Sequence, residues 1–302
     1  MFEVLLKQLA LMFLYMIPGF VLYKKKMLTD TGVKELGKLL LYIILPAAVI
    51  NSYNMDFTGE KAMGLAISFA LAVVVVLVAV LLSKICFLRK PIEHFGAAFS
   101  NAGFMGIPLV KAVIGADAVY YAAAFVAIVN ILQWTYGVYA MTGRKEEISP
   151  KKVLTNPILI SFFIGLILFF LPFRLPGLVT DFLSSMSAMN APVAMTMAGV
   201  YLAQVRLRDV FTEKISYLTA VVRLVLIPLA TVGVLWLLPI GSLDMKCTLL
   251  IVAAAPIGTN VAVYTQLWNM DSSRAIREVV LSTLLSILTM PVIIELFSRI
   301  AA

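Results

Sequence analysis

Charged residues are scarce in this 302-residue sequence: they make up 13% of the chain, against 62% hydrophobic residues. A soluble domain carries about 25% charged residues, because its whole surface must be hydrated. The shortage therefore excludes a soluble globular protein. Apolar runs such as 65–82 and 215–238 are long enough for a bilayer core, which about 20 helical residues cross. The composition predicts an all-α membrane protein.

Cysteine and histidine are almost absent. The chain has two cysteines, Cys86 and Cys247, and one histidine, His94, which is too few for a zinc pattern. The two cysteines fall at ends of apolar segments that we expect on opposite faces of the membrane, so a disulfide is not expected. No nucleophile with a base, phosphate-binding loop or metal-ligand set stands out in the sequence. We therefore expect neither an enzyme nor an ATP-driven pump, and no cofactor or metal.

Charge clusters and turn residues divide the chain into ten apolar segments that could each span a bilayer. The first five spans are predicted at 3–23, 35–54, 62–87, 93–114 and 117–141. Five more are predicted at 153–173, 177–203, 214–240, 245–268 and 274–299. The first span is expected to be retained, because its basic cluster follows the apolar segment, whereas a signal peptide has the opposite order.

Basic residues are distributed unevenly between alternate loops. Seventeen Lys and Arg residues lie in the loops that follow odd-numbered spans, six lie on the other side, and Arg223 lies inside span 8. Cytoplasmic loops carry such an excess of basic residues. We therefore expect a multi-pass protein of the cell membrane with both termini outside. The formal net charge of +8 then reflects this topology, and nucleic acid is not an expected partner.

The polar stretch 143–152 divides the chain into two halves of five spans, 1–142 and 153–302. Because each half has an odd number of spans, a duplicated unit would enter the membrane in opposite orientations, as in many secondary transporters. The prolines Pro46 and Pro192 lie 146 residues apart, while a second landmark pair lies 154 apart. The sequence predicts two inverted five-helix repeats joined by a cytoplasmic loop.

Two segments place glycine, proline and asparagine in the middle of a span, 100–108 in span 4 and 254–260 in span 9. Proline removes a backbone donor and glycine permits unusual dihedral angles, so both helices are expected to break. Backbone groups freed at membrane depth need protein, water or ligand, and the positive N-terminal end of a half-helix suits an anion. A proline kink is the alternative for either span alone. The predicted site residues of these segments are Asn101, Gly103, Gly106, Pro108, Pro256, Gly258, Thr259 and Asn260.

Neighbouring spans supply further candidate residues. Span 2 carries Pro46 and Asn51, and span 7 carries Asn190, all of which could complete a pocket beside the breaks. Capping of the outer end of span 2 is the alternative for Asn51. Span 5 carries a polar stripe that includes Asn130 and Gln133, and such a stripe either faces a cavity or holds helices together.

Ionisable residues inside the predicted spans are few. Arg223 lies about nine residues inside span 8, and it could either bind a carboxylate or tie helices together through backbone carbonyls. Almost all sixteen acidic residues lie in loops or near helix ends, so no buried carboxylate is predicted as a proton or sodium site. His94, at the cytoplasmic mouth of span 4, is expected to be interfacial, with a proton relay as the alternative.

The two interrupted segments resemble motifs of the auxin efflux carrier family, which includes plant auxin exporters and bacterial organic-acid carriers. The first is Asn101-Ala-Gly-Phe-Met-Gly-Ile-Pro108, followed by Gly115. The second is Ala253-Ala-Ala-Pro-Ile-Gly-Thr-Asn260, which leads to 279–291. The match in hydropathy and landmarks covers the whole chain.

This resemblance implies a ten-helix fold with crossed, broken helices 4 and 9, and elevator-type alternating access to a carboxylate substrate. The crossover positions would be 101–108 and 256–260. The long cytoplasmic loop of the plant exporters is reduced here to 143–152, which favours a small acid such as malate or malonate over auxin-like acids. A sodium-coupled symporter of the bile-acid type has the same general architecture and remains an alternative.

The sequence therefore predicts a secondary active transporter of small organic anions in the lipid bilayer. A proton or a sodium ion is the candidate coupling ion, and the resemblance is compatible with a homodimer. Two alternatives belong to other classes. A membrane sensor of the same fold would bind ligand without flux, and a channel would show flux without saturation or counterflow.

Overall fold

The computed structural model describes residues 1–171 and 174–301. Residues 172–173 of predicted span 6 and residue 302 of the second repeat lie outside the described residues. Within them, regular secondary structure is helical apart from one isolated bridge between Ser100 and Ile257, so the predicted all-α class is confirmed. The α-helices are α1 (Phe2–Lys24), α2 (Asp30–Leu39), α3 (Leu45–Ser52), α4 (Gly59–Cys86), α5 (Pro91–Ala98), α6 (Ile107–Val113), α7 (Val119–Leu132), α8 (Val138–Thr142), α9 (Pro150–Leu154), α10 (Pro157–Phe170), α11 (Gly177–Ala188), α12 (Asn190–Gln204), α13 (Leu207–Thr212), α14 (Lys214–Val221), α15 (Ile227–Leu237), α16 (Leu243–Ala254), α17 (Asn260–Leu267) and α18 (Ser272–Ala301). Turns of π-helix lie at Leu40–Ile44, Ala102–Gly106, Gln133–Gly137 and Val222–Leu226.

Helix covers most of each of the ten predicted spans, but with different continuity. Among the described residues, five helices are long and apolar enough to cross a membrane alone: α1, α4, Ala116–Thr142, Lys214–Leu237 and α18. The pieces Lys145–Leu154 and Pro157–Phe170 make a sixth if they are taken together across a 41° bend. The remaining predicted spans consist of shorter helices, and two of these spans contain the expected glycine–proline breaks.

Hydroxyl and amide side chains fix several helix starts. Thr29, Thr58 and Ser242 each accept a hydrogen bond from a backbone amide in the first turn of α2, α4 and α16. Asn156 does the same for α10, where its Oδ1 accepts from two amides. Such caps satisfy donors that the helix itself leaves free. The helix boundaries therefore follow from local sequence.

The closest helix contact joins α1 and α12. A Cβ atom added to Gly19 would overlap the carbonyl oxygen of Thr196, and one added to Gly199 would overlap that of Met16. The hydroxyl of Thr196 also donates to Tyr15 O at 3.3 Å. Small residues permit this approach in membranes, where dispersion and polar contacts hold helices together. The two glycines therefore let the two backbones touch.

A second contact, between α3 and α10, mirrors the first in sequence spacing. Gly165 of α10 lies against the ring of Tyr53, where an added Cβ would clash. Gly165 follows Gly19 by 146 residues, and Gly199 follows Tyr53 by the same interval. The proline pair of spans 2 and 7 has this spacing as well. Positions 146 residues apart thus take part in the two contacts.

Candidate functional site

The interruptions of spans 4 and 9 pair with each other. The amide of Asn101 donates to Pro256 O at 2.8 Å, and the amide of Gly258 donates to Phe99 O at 3.1 Å. These bonds form a short antiparallel pair between the segments that follow α5 and α16. The segments predicted as breaks are therefore in direct contact.

Both breaks leave carbonyl groups without their usual helical partners. The amide that would reach Ala97 O within α5 belongs to Asn101, which donates to Pro256 instead. The residue four positions after Val252 is Pro256, which has no N–H. Buried carbonyls of this kind need donors from elsewhere.

Arg223 supplies most of these donors. Its side chain is 1% exposed and lies on the π-helical turn between α14 and α15. Nη1 donates to Ala97 O at 2.9 Å and to Ala98 O at 3.4 Å, and Nη2 donates to Ala253 O. One guanidinium therefore binds the C-terminal ends of α5 and α16, where the helix dipoles concentrate negative charge. Of the two roles expected from the sequence, this geometry matches the tie between helices.

Two serines complete the support of the breaks. Ser100 Oγ donates at 2.8 Å to Val252 O, the carbonyl that Pro256 leaves free. On α18, Ser282 Oγ accepts from the amide of Ile257 at 3.2 Å. Both hydroxyls thus bind backbone groups of span 9, one from the break of span 4 and one from α18.

Amide side chains gather beside the paired breaks. Asn260 Nδ2 donates to Gln133 Oε1 at 2.9 Å, which joins spans 9 and 5. Asn130 Nδ2 donates to Val126 O at 2.9 Å, and its Oδ1 accepts from Asn156 Nδ2 at 3.4 Å. Sequence reasoning missed Asn156, although an asparagine before a proline at a helix start is a recognisable cap. The structure brings the predicted stripe of span 5 to the breaks.

The side chain of Asn101 is free although its backbone is engaged. Its carbonyl accepts from the amides of Met105 and Gly106, both at 3.1 Å. The side chain is 5% exposed and makes no hydrogen bond to the part of the chain that the structure describes. Asn190 Nδ2 donates to Gly103 O at 3.0 Å. Asn101 thus keeps an amide with unused donors and acceptor.

Two adjacent cavities lie beside these amides. The smaller has a volume of about 20 Å³, room for about one water molecule. Its lining includes seven predicted site residues: Asn101, Gly103, Asn130, Gln133, Gly258, Thr259 and Asn260. The larger has a volume of about 840 Å³ and shares Phe104, Asn130, Thr259 and Asn260 with the smaller. The amides therefore lie next to a space that can hold a small molecule.

Lysines and aromatic rings line the larger cavity. Lys34, Lys38 and Lys152 face it, against one acidic residue, Asp30, among the described lining residues. The aromatic lining residues are Tyr23, Tyr42, Phe104, Trp134, Tyr201 and Tyr264. Such an excess of positive charge raises the local concentration of anions. Sequence reasoning assigned these lysines to topology only and missed their convergence.

Seven predicted site residues line neither cavity: Pro46, Asn51, Gly106, Pro108, Asn190, Pro256 and Arg223. Gly106 instead permits close packing, because an added Cβ would lie 3.2 Å from Val252 Cα. Pro46 and Pro108 each follow a π-helical turn within a continuous helical stretch, where the extra residue of the turn accommodates the missing donor. Asn51 is half-buried near the C-terminal end of α3, a helix that packs against α10. The structure therefore does not bring it to the amide cluster, which consists of Asn101, Asn130, Gln133, Asn156 and Asn260.

The expectation that no carboxylate is buried is wrong. Glu93 and Glu278 are 2% and 0% exposed. Both lie near helix starts, where the sequence indicates solvent, but α5, α14 and α18 pack together and cover them. The sequence contains one signal for the burial of Glu278. Glu278, Ser282 and Ser286 recur at every fourth position and form a polar face on α18.

His94 is buried as well, whereas the sequence favoured an interfacial position. It is 6% exposed, and its Nε2 lies 2.9 Å from the hydroxyl of Tyr136 in span 5. The two rings also meet edge to face. This contact adds to the packing of α5 against the end of span 5.

Comparison with known proteins identifies a family for this chain. Residues 4–294 match a family described as membrane transport protein. The chain is 25% identical over 269 residues to the "Putative malonate transporter" of Rhizobium meliloti (strain 1021), which covers 84% of this chain and 83% of the relative. It is 23% identical over 288 residues to an "Uncharacterized transporter" of Methanothermobacter thermautotrophicus (strain Delta H), and this match covers 90% of this chain and 92% of the relative. Because the family match covers nearly the whole chain, the protein belongs to the membrane transport protein family, the auxin efflux carrier family that its two interrupted segments resemble.

Proposed function

We propose that this protein is a secondary active transporter of small organic anions, with malonate-like dicarboxylates as the leading substrates. The observation that carries the proposal is the contact between two broken helices beside a cavity lined by amides and lysines. Discontinuous membrane helices of this kind form substrate sites in many secondary transporters. The name of the Rhizobium meliloti relative, "Putative malonate transporter", supports a dicarboxylate as substrate.

For the architecture, we propose ten transmembrane helices in two inverted repeats, 1–142 and 153–302, with broken helices 4 and 9 crossing at the site. The spacing of 146 residues that the proline pair shares with Gly19/Gly165 and Tyr53/Gly199 supports this arrangement, because it relates the α1–α12 contact to the α3–α10 contact. A two-fold relation between the repeats would interchange these two contacts. With both termini outside, the larger cavity opens to the cytoplasm, since its lysines lie in or next to cytoplasmic loops.

For the mechanism, we propose elevator-type alternating access to the amide cluster. Lysines at the larger cavity attract the anion, and the free amide of Asn101 then donates to one carboxylate. Asn260 can follow by exchanging its bond to Gln133 for a bond to the substrate. The N-terminus of α17, which begins at Asn260, adds a positive dipole end on the same side.

Transport by the purified protein in liposomes tests this proposal. Uptake of labelled malonate, malate and indole acetate is measured with and without sodium or pH gradients, for wild type, Asn101→Ala and Asn260→Ala. We expect saturable uptake with counterflow, reduced at least about tenfold in both variants, which corresponds to about 1.4 kcal/mol. Asn54→Ala is the matched control, because Asn54 bonds to Thr180 and lines neither cavity.

The alternatives give different results in the same experiment. Stabilisation by malonate against heat without any flux would favour a sensor, and flux without saturation or counterflow would favour a channel. Uptake that requires sodium would favour a symporter of the bile-acid type. Equal uptake by wild type and both asparagine variants would remove the amide cluster from the proposed site.

A further inference from the structure

Glu278 is enclosed between α18, α14 and α5. Its side chain is 0% exposed. Oε1 lies 3.3 Å from Oγ1 of Thr219 on α14. Oε2 lies beside Gly96 of α5, where an added Cβ would be 3.3 Å away, and it has no hydrogen-bond partner among the described residues. The carboxyl group therefore has one contact that can share a proton and no donor for its second oxygen.

The hydroxyl of Thr219 lies within reach of two acceptors for its single proton. Oγ1 of Thr219 also lies 3.0 Å from Ile215 O, which can only accept. A hydroxyl has a single proton, so Thr219 donates either to Ile215 O or to Oε1 of Glu278, and it can accept from Glu278 when it donates to Ile215. The contact between Thr219 and Glu278 is then favourable when the carboxyl group of Glu278 is protonated and donates.

Neighbouring charges do not compensate an ionised Glu278. The charged groups that face it are Glu93 of α5, Glu213 at the start of α14 and Arg274 of its own helix. Arg274 lies 3.3 Å from Glu93 and 3.5 Å from Glu213, while Arg277 lies 2.6 Å from Glu213. Within the described residues, no basic side chain lies within 4.0 Å of Glu278. A carboxylate here would be buried, unpaired and close to a second carboxylate, which is strongly unfavourable.

The other titratable groups on the helices around Glu278 are directed elsewhere. Arg223 binds backbone carbonyls of α5 and α16, and His94 contacts Tyr136. Asp271 lies 3.6 Å from Arg274. The ring of Tyr264, on α17, packs against Phe95, Trp134 and Trp268. Protonation is the remaining way to neutralise Glu278 in this arrangement.

The same helices hold both breaks. One turn after Glu278, Ser282 binds the amide of Ile257 in the break of span 9. Gly96, which contacts Glu278, directly precedes the α5 carbonyls that Arg223 binds. Loss of the proton would place a charge in this interface, and hydration of that charge requires α5 and α14 to separate from α18. The proton on Glu278 therefore favours one arrangement of the helices that position the breaks.

We propose that Glu278 is a proton-binding site that couples proton movement to anion transport. This inference rests on the proposed transport function. The carboxyl group holds its proton in the packed arrangement described here. When the interface opens to water, the O–H bond breaks and the proton passes to water, and the reverse step reloads the site.

Glu278→Gln tests the coupling, because glutamine has nearly the same shape and stays neutral. Wild-type protein in liposomes should respond to a pH gradient of one unit. For coupling of one proton to each anion, we expect the gradient, applied in one of its two directions, to change malonate accumulation about tenfold. Glu278→Gln should retain malonate counterflow and lose the response to the gradient. Glu60→Gln, which alters an exposed acid at the start of α4, should respond like wild type. Active counterflow in wild type with no response to either gradient overturns the proposal and leaves the transport function intact.

Infrared spectroscopy tests proton binding without transport. The difference spectrum of wild type minus Glu278→Gln at neutral pH should contain the carbonyl stretch of a protonated carboxylic acid. Absence of this band overturns the proposal, even if malonate is transported. If the band is present but none of the acids is transported, the transport function is refuted, and the coupling with it. Glu278 then remains a proton-binding site. If Glu278→Gln does not fold, Glu278→Asp replaces it, and a shifted band then identifies the residue.

Discussion

The break between α5 and α6 leaves an amide side chain free, whereas the break between α16 and α17 uses its amide within the protein. Asn101 has unused donors beside the smaller cavity, while Asn260 is bonded to Gln133. Among the described residues, Asn101 has no internal side-chain hydrogen bond for a ligand to displace, but a ligand at Asn260 must compete with Gln133. The asparagine side chains at the two breaks are thus used differently, one free and one bonded within the protein. This difference makes the two breaks unequal as binding groups.

Removal of Arg223 should have the largest effect, because this residue supports both breaks at once. Arg223→Met leaves the carbonyls of Ala97 and Ala253 buried without their donors. Hydrogen bonds to charged groups contribute about 1.5–3 kcal/mol each, so we expect a loss of at least about 3 kcal/mol. Thermal unfolding in detergent, followed by tryptophan fluorescence, measures it.

Arg223→Lys is the matched control. One ammonium group keeps the charge but does not reproduce the planar fork that spans both helix ends. Its melting temperature should fall between those of wild type and Arg223→Met. An unchanged melting temperature in Arg223→Met would show that the breaks hold without this residue.

Gly258→Ala should have a smaller effect, confined to the contact between the breaks. The added Cβ would lie 3.3 Å from both Phe99 O and Ser100 O, which are backbone atoms and cannot rotate away. Overpacking of this kind costs about 1–3 kcal/mol, so the melting temperature should decrease. Gly233→Ala, at a helical position with open space around it, should be neutral or stabilising. Equal melting temperatures for the two variants would contradict the tight pairing of the breaks.

The smallest effects are expected for the two serines that bind backbone groups of span 9, Ser100 from the break of span 4 and Ser282 from α18. Ser100→Ala removes the donor to Val252 O, and Ser282→Ala removes the acceptor of the Ile257 amide. Each change should lower the free energy of unfolding by about 1 kcal/mol. If the two hydrogen bonds act independently, the double variant should show the sum of the two losses in thermal unfolding. A marked departure from additivity would show that the two hydrogen bonds are coupled.

Local sequence predicts the breaks themselves, but it does not predict their partners. Pro256 lacks a backbone donor and Gly258 is a poor helix former, so the disruption of span 9 is visible in the sequence. The bond between Asn260 and Gln133 joins residues 127 positions apart, and only the packing of spans 5 and 9 creates it. Likewise, Glu278 lies six residues after the start of α18, and its burial depends on α5 and α14.

The lysines show a related limit of sequence reasoning. Lys34, Lys38 and Lys152 fit the rule that basic residues collect on the cytoplasmic side, and this explanation is sufficient for the sequence alone. Their convergence on one cavity requires α2 and α9 to lie on the same side of the site. A topological explanation can therefore conceal a binding function of the same residues.

The contact of α1 with α12 limits how this protein can move. At Gly19 and Gly199 each backbone meets a carbonyl of the other helix, and a slide by one residue would drive a side chain into that carbonyl. These two helices must therefore travel as a single rigid body. The ring of Tyr53 against Gly165 restrains α3 and α10 in the same way. Any sliding plane that changes access to the cavities must run between other helices.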